Sequence, residues 1–501
     1  MDGAAAERHE PCVRQRYVVG FLGFFALANG YIQRFCLSLA ITEMVATHKL
    51  HPTKIDLHAC PFDESTVVTT NGTVHRASGE FVWDEETQGL ILSSFFWGYV
   101  VMQVPGGLLA EKFGGKVALG FGMLVSTLAT LATPLVARMG GAIGLIVLRF
   151  ILGLGQGPLY PSLNVLLAHW APTHERGRLG AIVFAGAQIG NMISMAMSGF
   201  LISYGGWTSV FYTFGFLGLA WAVLWKYLVY STPSQNPIIS DAEKQYILQT
   251  AGRSKEEDLP PTPWRSILTS VPLWGLIIAQ IGHDWGLFTI QTDLPKYMKS
   301  VMKFSIVQNG ILTSLPFLVM WFTAIGAGIL GDFLLKKKVW SVTVGRKVFT
   351  TIASVGPALG VILASYAGCD RVAAATLFTV GMAFMGFFYP SLKVNALDLS
   401  PNYAGTLMAL VNGIGAISGI ITPTLIGYLT PNQTMMEWRK VFWTSFVVIL
   451  ATNVVYVIIG SGEVQPWNEP LVKDKDETLT WTAENGITEK PQEEKEKDSK
   501  L

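Results

Sequence analysis

Four ionisable residues lie inside long apolar runs of the sequence, where a charged group usually has a function. They are Arg34, Arg149, His283 and Asp284. If these runs cross a bilayer, each charge costs about 2.5 to 3.5 kcal/mol on insertion scales. A guanidinium can bind a carboxylate or a phosphate through two parallel hydrogen bonds, and a buried histidine exchanges protons near neutral pH. These residue types therefore predict an anion-binding site with a titratable partner.

Each of these residues also has a structural interpretation. The neighbours of Arg34 are aromatic or aliphatic, which favours anion binding over an ion pair elsewhere in the bundle. Arg149 has no acidic residue within helical reach, so it either contacts the anion or bonds to backbone carbonyls. His283 and Asp284 either bind substrate and a co-transported cation or satisfy one another in the core. Tyr160 could donate its hydroxyl to an anion, although tyrosines also pack helices.

The elements that must position these residues are long apolar helices. Of the 501 residues, 50% are hydrophobic and only 14% are charged, which is too little polar surface to cover a soluble globule. A bilayer-spanning helix needs about 20 apolar residues, and the sequence contains about twelve such runs. We therefore predict an all-α membrane protein with twelve transmembrane helices. The runs lie near 17–45, 88–110, 116–137, 141–169, 178–203, 207–230, 271–298, 305–331, 346–367, 371–397, 403–430 and 438–460.

The second half of the chain repeats the first in the same order. The tetrapeptide Tyr-Pro-Ser-Leu at 160–163 recurs at 389–392. Two flanking matches keep nearly the same spacing: 107–111 with 328–332, and Trp207 with Trp438. Duplicated six-helix halves related by an axis along the membrane normal are a known plan of secondary transporters, with the substrate site near the midplane between the halves. The repeat therefore predicts a transporter made of two six-helix halves.

Basic residues of the short loops occur on alternate sides, which predicts the orientation of the chain. We expect both termini to be cytoplasmic and the first apolar run to be a retained span. The boundaries that follow are an N-terminus at 1–16, an N-terminal half at 17–230 with an outer loop at 46–87, a cytoplasmic linker at 231–266, a C-terminal half at 267–461, and a disordered cytoplasmic tail at 462–501.

Several kinds of chemistry are excluded by composition and spacing. The net charge of +1 does not favour nucleic-acid binding, and the four cysteines lack metal-ligand spacing. No phosphate-cradling loop or nucleophile elbow is present, so we expect neither an enzyme nor a cofactor. Asn71 begins an N-glycosylation tripeptide in the outer loop. Cys60 and Cys369 both map to the outer side, but spacing cannot show proximity, so free thiols are expected over a disulfide.

Several motifs carry a family resemblance that extends from about Gln33 to Trp467. The loop sequence GGLLAEKFGGK resembles the cytoplasmic signature of the major facilitator superfamily. The segments SSFFWGYVVMQVPGG, WAPTHERGR, FAGAQIG, TDLPKYMK and SPNYAG together resemble solute carrier family 17, the anion:cation symporters, which has sialin-type and phosphate-cotransporter-type members. The resemblance implies symport of a small anion with Na+ or H+ by alternating access.

The resemblance also implies roles for individual residues. It places the family's substrate-binding arginine at Arg34. It implies a gate latch on the inner side, where an acid just past a helix end can cap a neighbouring helix and pair with a basic residue. The latch residues are Glu111, Asp332, Arg176 and Arg178. The expected partners are a small anionic substrate and the lipid bilayer, with the protein a monomer in the plasma membrane or in a lysosomal or vesicular membrane.

The sequence departs from the family pattern at functional positions. Family members commonly carry a glutamate tied to proton coupling where this chain has Gln156, and an amide cannot titrate. The vesicular glutamate transporters have an arginine at the position of His283 and a histidine at that of Leu92. Lys393 is expected to extend its long side chain toward the inner interface. A facilitative carrier of neutral or organic solutes and a non-transporting sensor remain alternative functions.

Overall fold

The computed structural model of this chain describes residues 14–46, 60, 79–250 and 262–468. Within these residues the regular structure is helical, apart from an isolated β-bridge between Val45 and Phe81. Nine helices in this part of the chain are long and apolar enough to cross a membrane by length and composition. The prediction of an all-α membrane protein is therefore confirmed.

Five helices make up the N-terminal part: α1 (Gln15–Met44), α2 (Glu85–Phe113), α3 (Gly115–Gln156), α4 (Leu159–Trp170) and α5 (Thr173–Leu228). A straight helix of the 42 residues of α3 would be about 63 Å long, roughly twice the hydrocarbon thickness. Both α3 and α5 are interrupted by a glycine with positive φ, Gly141 at 56° and Gly206 at 72°. Glycine adopts such values without strain. Two predicted spans therefore lie in α5, whereas α3 contains the third span and the first part of the fourth, which α4 completes.

The described residues from 241 to 468 contain the α-helices α6 (Asp241–Thr250), α7 (Trp264–Leu268), α8 (Val271–Phe288), α9 (Leu294–Ser300), α10 (Ile306–Lys336), α11 (Val342–Tyr366), α12 (Arg371–Met385), α13 (Val394–Leu399), α14 (Ala404–Gly415), α15 (Ser418–Leu429) and α16 (Met435–Ile459). π-Helical turns at Thr289–Asp293 and Tyr389–Lys393 interrupt the predicted seventh and tenth spans. Such turns frequently mark functional sites. The broken segment 271–300 supplies the predicted span that is not among the nine long apolar helices.

The expectation of free thiols at Cys60 and Cys369 was wrong, because the structure joins them in a disulfide. Their Cα atoms are 5.3 Å apart although 309 positions separate them in sequence. Cys60 precedes α2 and Cys369 precedes α12, so the bond links the two halves. We call the side of the bundle that carries this bond the disulfide face. The opposite side, where α1 begins and α16 ends, is the terminal face.

The helix of the predicted linker is attached to the N-terminal half by a buried ion pair on the terminal face. Arg16 contacts Oε2 of Glu175 at 3.0 Å and Oε1 of Glu243 at 3.5 Å. Glu243, on α6, also accepts a hydrogen bond from the backbone nitrogen of Gln15 at 2.9 Å. The side chains of Arg16 and Glu243 are only 2% and 5% exposed.

Replacing Arg16 with alanine is expected to destabilise the protein by about 3 to 5 kcal/mol, because it leaves the buried Glu243 carboxylate unpaired. The matched control is Arg138→Ala. Arg138 donates hydrogen bonds to Glu80 and thereby lowers the pKa of that carboxyl, but both side chains are about half exposed. Exposed pairs contribute roughly 0 to 1 kcal/mol. Thermal unfolding in detergent should show a lower Tm for Arg16→Ala alone, and equal effects of the two variants would contradict this prediction.

Residues 462–468, which the sequence analysis assigned to the disordered tail, are ordered against the bundle. Within residues 462–468, Trp467 is buried and Asn468 accepts a hydrogen bond from Ser400 at 2.7 Å. The backbone nitrogen of Gln465 also donates to the carbonyl of Leu399. This segment therefore packs against the bundle instead of starting the tail. The predictions for Asn71 and for 469–501 lie outside the described residues.

Candidate functional site

Arg34 lies in the middle of α1, inside an aromatic enclosure. Its side chain is buried, and its Nε donates to Oε1 of Gln156 at 3.2 Å. The guanidinium carbon lies 4.5 Å from the ring centre of Phe95, 4.6 Å from that of Tyr99 and 4.7 Å from that of Tyr31. Its Nη2 is buried and donates no hydrogen bond to the described residues. Nη2 of the guanidinium is therefore available to bind an anion.

Arg149 lies beside Arg34 and brings a second guanidinium to the same place. It is 4% exposed, and its Nη1 donates to the backbone oxygen of Arg34 at 3.0 Å. Its Nε is buried and has no hydrogen-bond partner among the described residues. Both interpretations of Arg149 thus have support, since one nitrogen bonds to a carbonyl and another remains available.

Neither arginine is neutralised by a carboxylate in the described part of the chain, where the ion pairs involve other residues. Gln156 occupies the position at which the family commonly has a glutamate. It accepts from Arg34 and donates from Nε2 to the carbonyl of Gly30 at 3.0 Å. The neutral amide thus preserves the contact between α3 and α1 without supplying a negative charge. The site carries two positive charges as a result.

The repeated Tyr-Pro-Ser-Leu segments lie at helix breaks that face one another across the two halves. The hydroxyl of Tyr160, at the start of α4, is 2.8 Å from that of Tyr31. Tyr389, at the start of a π-helical turn, accepts a hydrogen bond from Gln188 of α5. This second contact crosses from the N-terminal to the C-terminal half. Tyrosine hydroxyls therefore extend from the arginine site toward the other half.

The structure does not pair His283 with Asp284. The ring of His283 stacks on Phe388, with ring centres 3.4 Å apart and planes 4° from parallel. Asp284 instead accepts from Nε2 of Gln280 at 2.8 Å. Both residues are buried in the described structure, at 6% and 8% exposed. The alternative in which they satisfy one another for packing therefore loses its geometric support.

Lys393 lies closer to this site than the sequence indicated. We expected its side chain to extend toward the interface, but its Nζ donates to Oδ1 of Asn412 at 2.5 Å. It also interacts electrostatically with Asp284 and His283. The expectation for Lys393 was wrong because an internal amide supplies the partner that water would otherwise provide. The C-terminal half thus contributes an acid and a base, whereas the N-terminal half contributes two arginines.

Sequence reasoning also missed a group of buried amides on α1 and α5. Asn191 is fully buried, and neither its Oδ1 nor its Nδ2 has a hydrogen-bond partner among the described residues. Single oxygens without partners belong to Asn29, Gln33 and Gln188. Buried polar atoms are usually satisfied by protein, water or ligand. The signal that could have found them is the presence of amides within otherwise apolar spans.

Three of the four predicted latch residues can be located by their side chains in the described part of the chain. Glu111, Arg178 and Asp332 are exposed on the terminal face and form no ion pair with the described residues. The side chain of Arg176 lies outside the described part. The latch remains a prediction for a conformation in which the terminal face is closed.

At the disulfide face, by contrast, the halves are joined by ion pairs. Lys296 of α9 lies 3.3 Å from Oε2 of Glu85 on α2, and Lys299 lies 2.9 Å from Oε1 of Glu43 on α1. Phe96 packs on Phe288 across the same seam, with ring centres 4.6 Å apart. The structure is therefore closed at the disulfide face.

The fold is shared with solved transporter structures. A bacterial homologue of the human lysosomal transporter Spinster, in an inward-facing and unoccupied conformation, matches with a TM-score of 0.67 at 13% identity, covering 89% of this chain and 97% of that one. A D-xylose-proton symporter matches with a TM-score of 0.66 at 14% identity, covering 90% and 99%. At these identities the likeness concerns the fold alone. It confirms the predicted architecture.

Sequence comparisons identify the family. The family model described as Major Facilitator Superfamily matches residues 21–423. A Drosophila melanogaster protein described as "Putative inorganic phosphate cotransporter" is 39% identical over 93% of this chain and 88% of its own length. Human sialin is 38% identical, covering 92% of each chain, and vesicular glutamate transporter 1 of Xenopus laevis is 33% identical over 93% and 79%. The chain is therefore a multi-pass membrane transporter and not an enzyme, and it belongs to solute carrier family 17 of the major facilitator superfamily.

Proposed function

We propose that this protein is a cation-coupled symporter of a small anion, either inorganic phosphate or an organic acid. The observation that carries the proposal is the pair of buried guanidiniums, Arg34 and Arg149, without a carboxylate partner among the described residues. Buried charges without partners are strongly destabilising. An anion bound between them would neutralise the site and satisfy the free donors.

The surroundings of the arginines suit both substrate classes. Guanidinium groups commonly bind a carboxylate or a phosphate through paired hydrogen bonds, and Nη2 of Arg34 and Nε of Arg149 are both without partners among the described residues. Tyr31 and Tyr160 place hydroxyls beside it, and Phe95 and Tyr99 would pack against a carbon skeleton. The names of two relatives, "Putative inorganic phosphate cotransporter" and sialin, favour the same two classes. We therefore propose Arg34, Arg149 and Tyr160 as substrate contacts, with His283 approaching from the other half.

We propose that the coupling ion, Na+ or H+, acts at the C-terminal half. At position 156 this chain has a glutamine in place of the glutamate that the family resemblance implies. Its amide cannot titrate, so the coupling ion must act at another residue. Asp284 is the buried carboxylate near the centre, and Lys393 lies within electrostatic range of it. A cation bound at Asp284 would neutralise this carboxylate and thereby reduce its repulsion of the incoming anion. We further propose that the terminal face is cytoplasmic and that the bundle alternates access around the arginine site.

The experiment that tests the function uses purified protein in proteoliposomes. Uptake of labelled phosphate and of a panel of organic acids is measured while sodium and pH gradients are imposed separately. Sodium-driven phosphate uptake would assign the phosphate-cotransporter class, and proton-driven uptake of a sugar acid would assign the sialin-like class. Counterflow without any gradient effect would identify a facilitative carrier. Binding without counterflow would identify a sensor and overturn the proposal.

Replacing Gln156 with glutamate should make anion transport strongly dependent on acid pH. The new carboxylate would lie about 3 Å from Arg34 and compete with the anion when ionised. We expect the KM at neutral pH to rise at least tenfold, corresponding to about 1.4 kcal/mol, and to recover when the carboxyl is protonated. The control is Gln156→Met, which removes the hydrogen bonds without adding charge. An unchanged pH profile in Gln156→Glu would contradict the assignment of this site.

A further inference from the structure

A buried cluster of unequal charge lies at the disulfide face, apart from the arginine site. The ammonium of Lys296 is 3.3 Å from Oε2 of Glu85 and 3.9 Å from Oδ1 of Asp293. The side chains of Asp293 and Lys296 are 0% and 4% exposed, and that of Glu85 is 19% exposed. Two carboxylates thus share one ammonium where little water enters. One negative charge in the cluster has no opposite charge to balance it among the residues that the structure describes.

Asp293 is the member of the cluster that lacks a full set of partners. Its Oδ2 accepts from the hydroxyl of Thr292 at 2.5 Å, but its Oδ1 accepts no hydrogen bond from the described residues. Lys296 lies nearer to Glu85 than to this oxygen. A buried carboxylate oxygen without a donor is unfavourable, and protonation removes its charge. Oδ1 of Asp293 is therefore the atom of the cluster best placed to accept a proton.

The elements packed around Asp293 contribute few other charges. The adjoining part of α1 carries Glu43, which is paired with Lys299, and α15 carries Tyr428, which is exposed. His283 and Asp284 of α8 lie more than two helical turns away. Lys296 and Glu85 are consequently the charged groups that determine the protonation of Asp293.

The neighbouring ion pair between Lys299 and Glu43 provides a contrast within the same gate. It also joins α9 to the N-terminal half, with its atoms 2.9 Å apart. Here one ammonium meets one carboxylate, and the side chains are 27% and 22% exposed. This pair is balanced in charge and has no need of a proton. The two lysines of α9 thus make one unbalanced and one balanced contact to the other half.

We propose that Asp293 is a proton-binding group and that its protonation favours closure of the disulfide face. In the closed face, a proton on Asp293 neutralises the cluster and leaves Lys296 fully available to Glu85. Opening would separate α2 from α9 and admit water. Lys296 would then pair with ionised Asp293, three residues before it on the same segment, and the proton would be released to solvent.

The sign of the pH dependence follows from this linkage. Because the closed face binds the proton more tightly than the open face, acidification increases the closed population. A single proton can change the ratio of closed to open by at most about tenfold per pH unit. The inference concerns the gate alone and does not depend on which anion is carried.

The experiment measures the gate directly, without transport. Spin labels are attached at Tyr204→Cys and Val372→Cys, which are 90% and 77% exposed and belong to different halves. The background carries Cys12→Ser and Cys36→Ala, so that the native disulfide is the other cysteine pair. Distances are recorded by double electron–electron resonance in lipid nanodiscs from acid to mildly alkaline pH. We expect short distances to predominate at acid pH and longer ones to increase as the pH rises.

Three variants test whether Asp293 causes the pH dependence of closure at the disulfide face. Asp293→Asn mimics the protonated group, so short distances should persist at every pH. Lys296→Met leaves both carboxylates without an ammonium and should shift the population toward long distances at neutral pH. Glu43→Gln, at the balanced pair, should retain the pH response. The proposal would be overturned if Asp293→Asn kept the pH response of the parent protein. It would also be overturned if Glu43→Gln lost the pH response while Asp293→Asn retained it.

Discussion

Uptake of the anion should fall at least about 100-fold when Arg34 is replaced by glutamine, because the substitution removes a charged guanidinium that can donate two hydrogen bonds to the anion. Hydrogen bonds to charged groups contribute about 1.5 to 3 kcal/mol each, and two of them would account for 100-fold or more. Glutamine can still bond to Gln156, so local packing should persist. The measurement is initial uptake into proteoliposomes, with substrate-induced thermal stabilisation as an independent measure of binding.

Two further variants separate charge from geometry at this position. Arg34→Lys keeps the positive charge but loses the planar fork and its stacking on Phe95 and Tyr99, so an intermediate loss is expected. Arg138→Gln is the matched control, since that arginine is half exposed at the disulfide face and paired with Glu80. Normal uptake by Arg34→Gln, in protein that reaches the membrane and folds, would remove Arg34 from the substrate site.

The sequence predicted much of the architecture, and the reasons are physical. Apolar runs of about 20 residues are a requirement of the bilayer, so the spans were visible without any tertiary information. The repeat predicted two halves because matching segments kept their spacing. Gly141 is the first residue of the predicted span 141–169, and Gly206 falls between two predicted spans, so both glycine breaks lie where a turn must connect successive spans. The π-helical turns were not predicted, because their hydrogen-bond pattern depends on the packing of neighbouring helices.

The candidate site was predictable in its residue types and less so in its contacts. Arg34 and Arg149 stand out because charge in an apolar run is costly. Sequence alone could not show that they adjoin one another, that Lys393 lies near Asp284, or that Lys296 reaches Glu85. These pairs join residues far apart in the chain, and the disulfide does so as well. Proximity of this kind arises from the folding of the two halves around a common centre.

Replacing Asp284 with asparagine is expected to uncouple transport while preserving exchange. The amide is nearly the same size and can still accept the hydrogen bond from Gln280, so the local packing should be maintained. It carries no negative charge, and a cation would no longer bind there. Gradient-driven uptake should therefore stop at the external concentration, whereas counterflow of labelled anion should continue. Accumulation and counterflow are measured in the same proteoliposomes.

Although Asp284→Asn should abolish accumulation of the anion, it should strengthen anion binding. With Asp284 neutral, Lys393 loses the carboxylate with which it interacts, and the positive charge near the site increases. We expect anion affinity to rise even though accumulation is lost, a combination that unfolding would not produce. The control is Asp370→Asn, because Asp370 caps α12 at the disulfide face and asparagine caps helices equally well. If Asp284→Asn still accumulates anion in response to the gradient, the coupling ion acts elsewhere, and Asp293 becomes the next buried carboxylate to test.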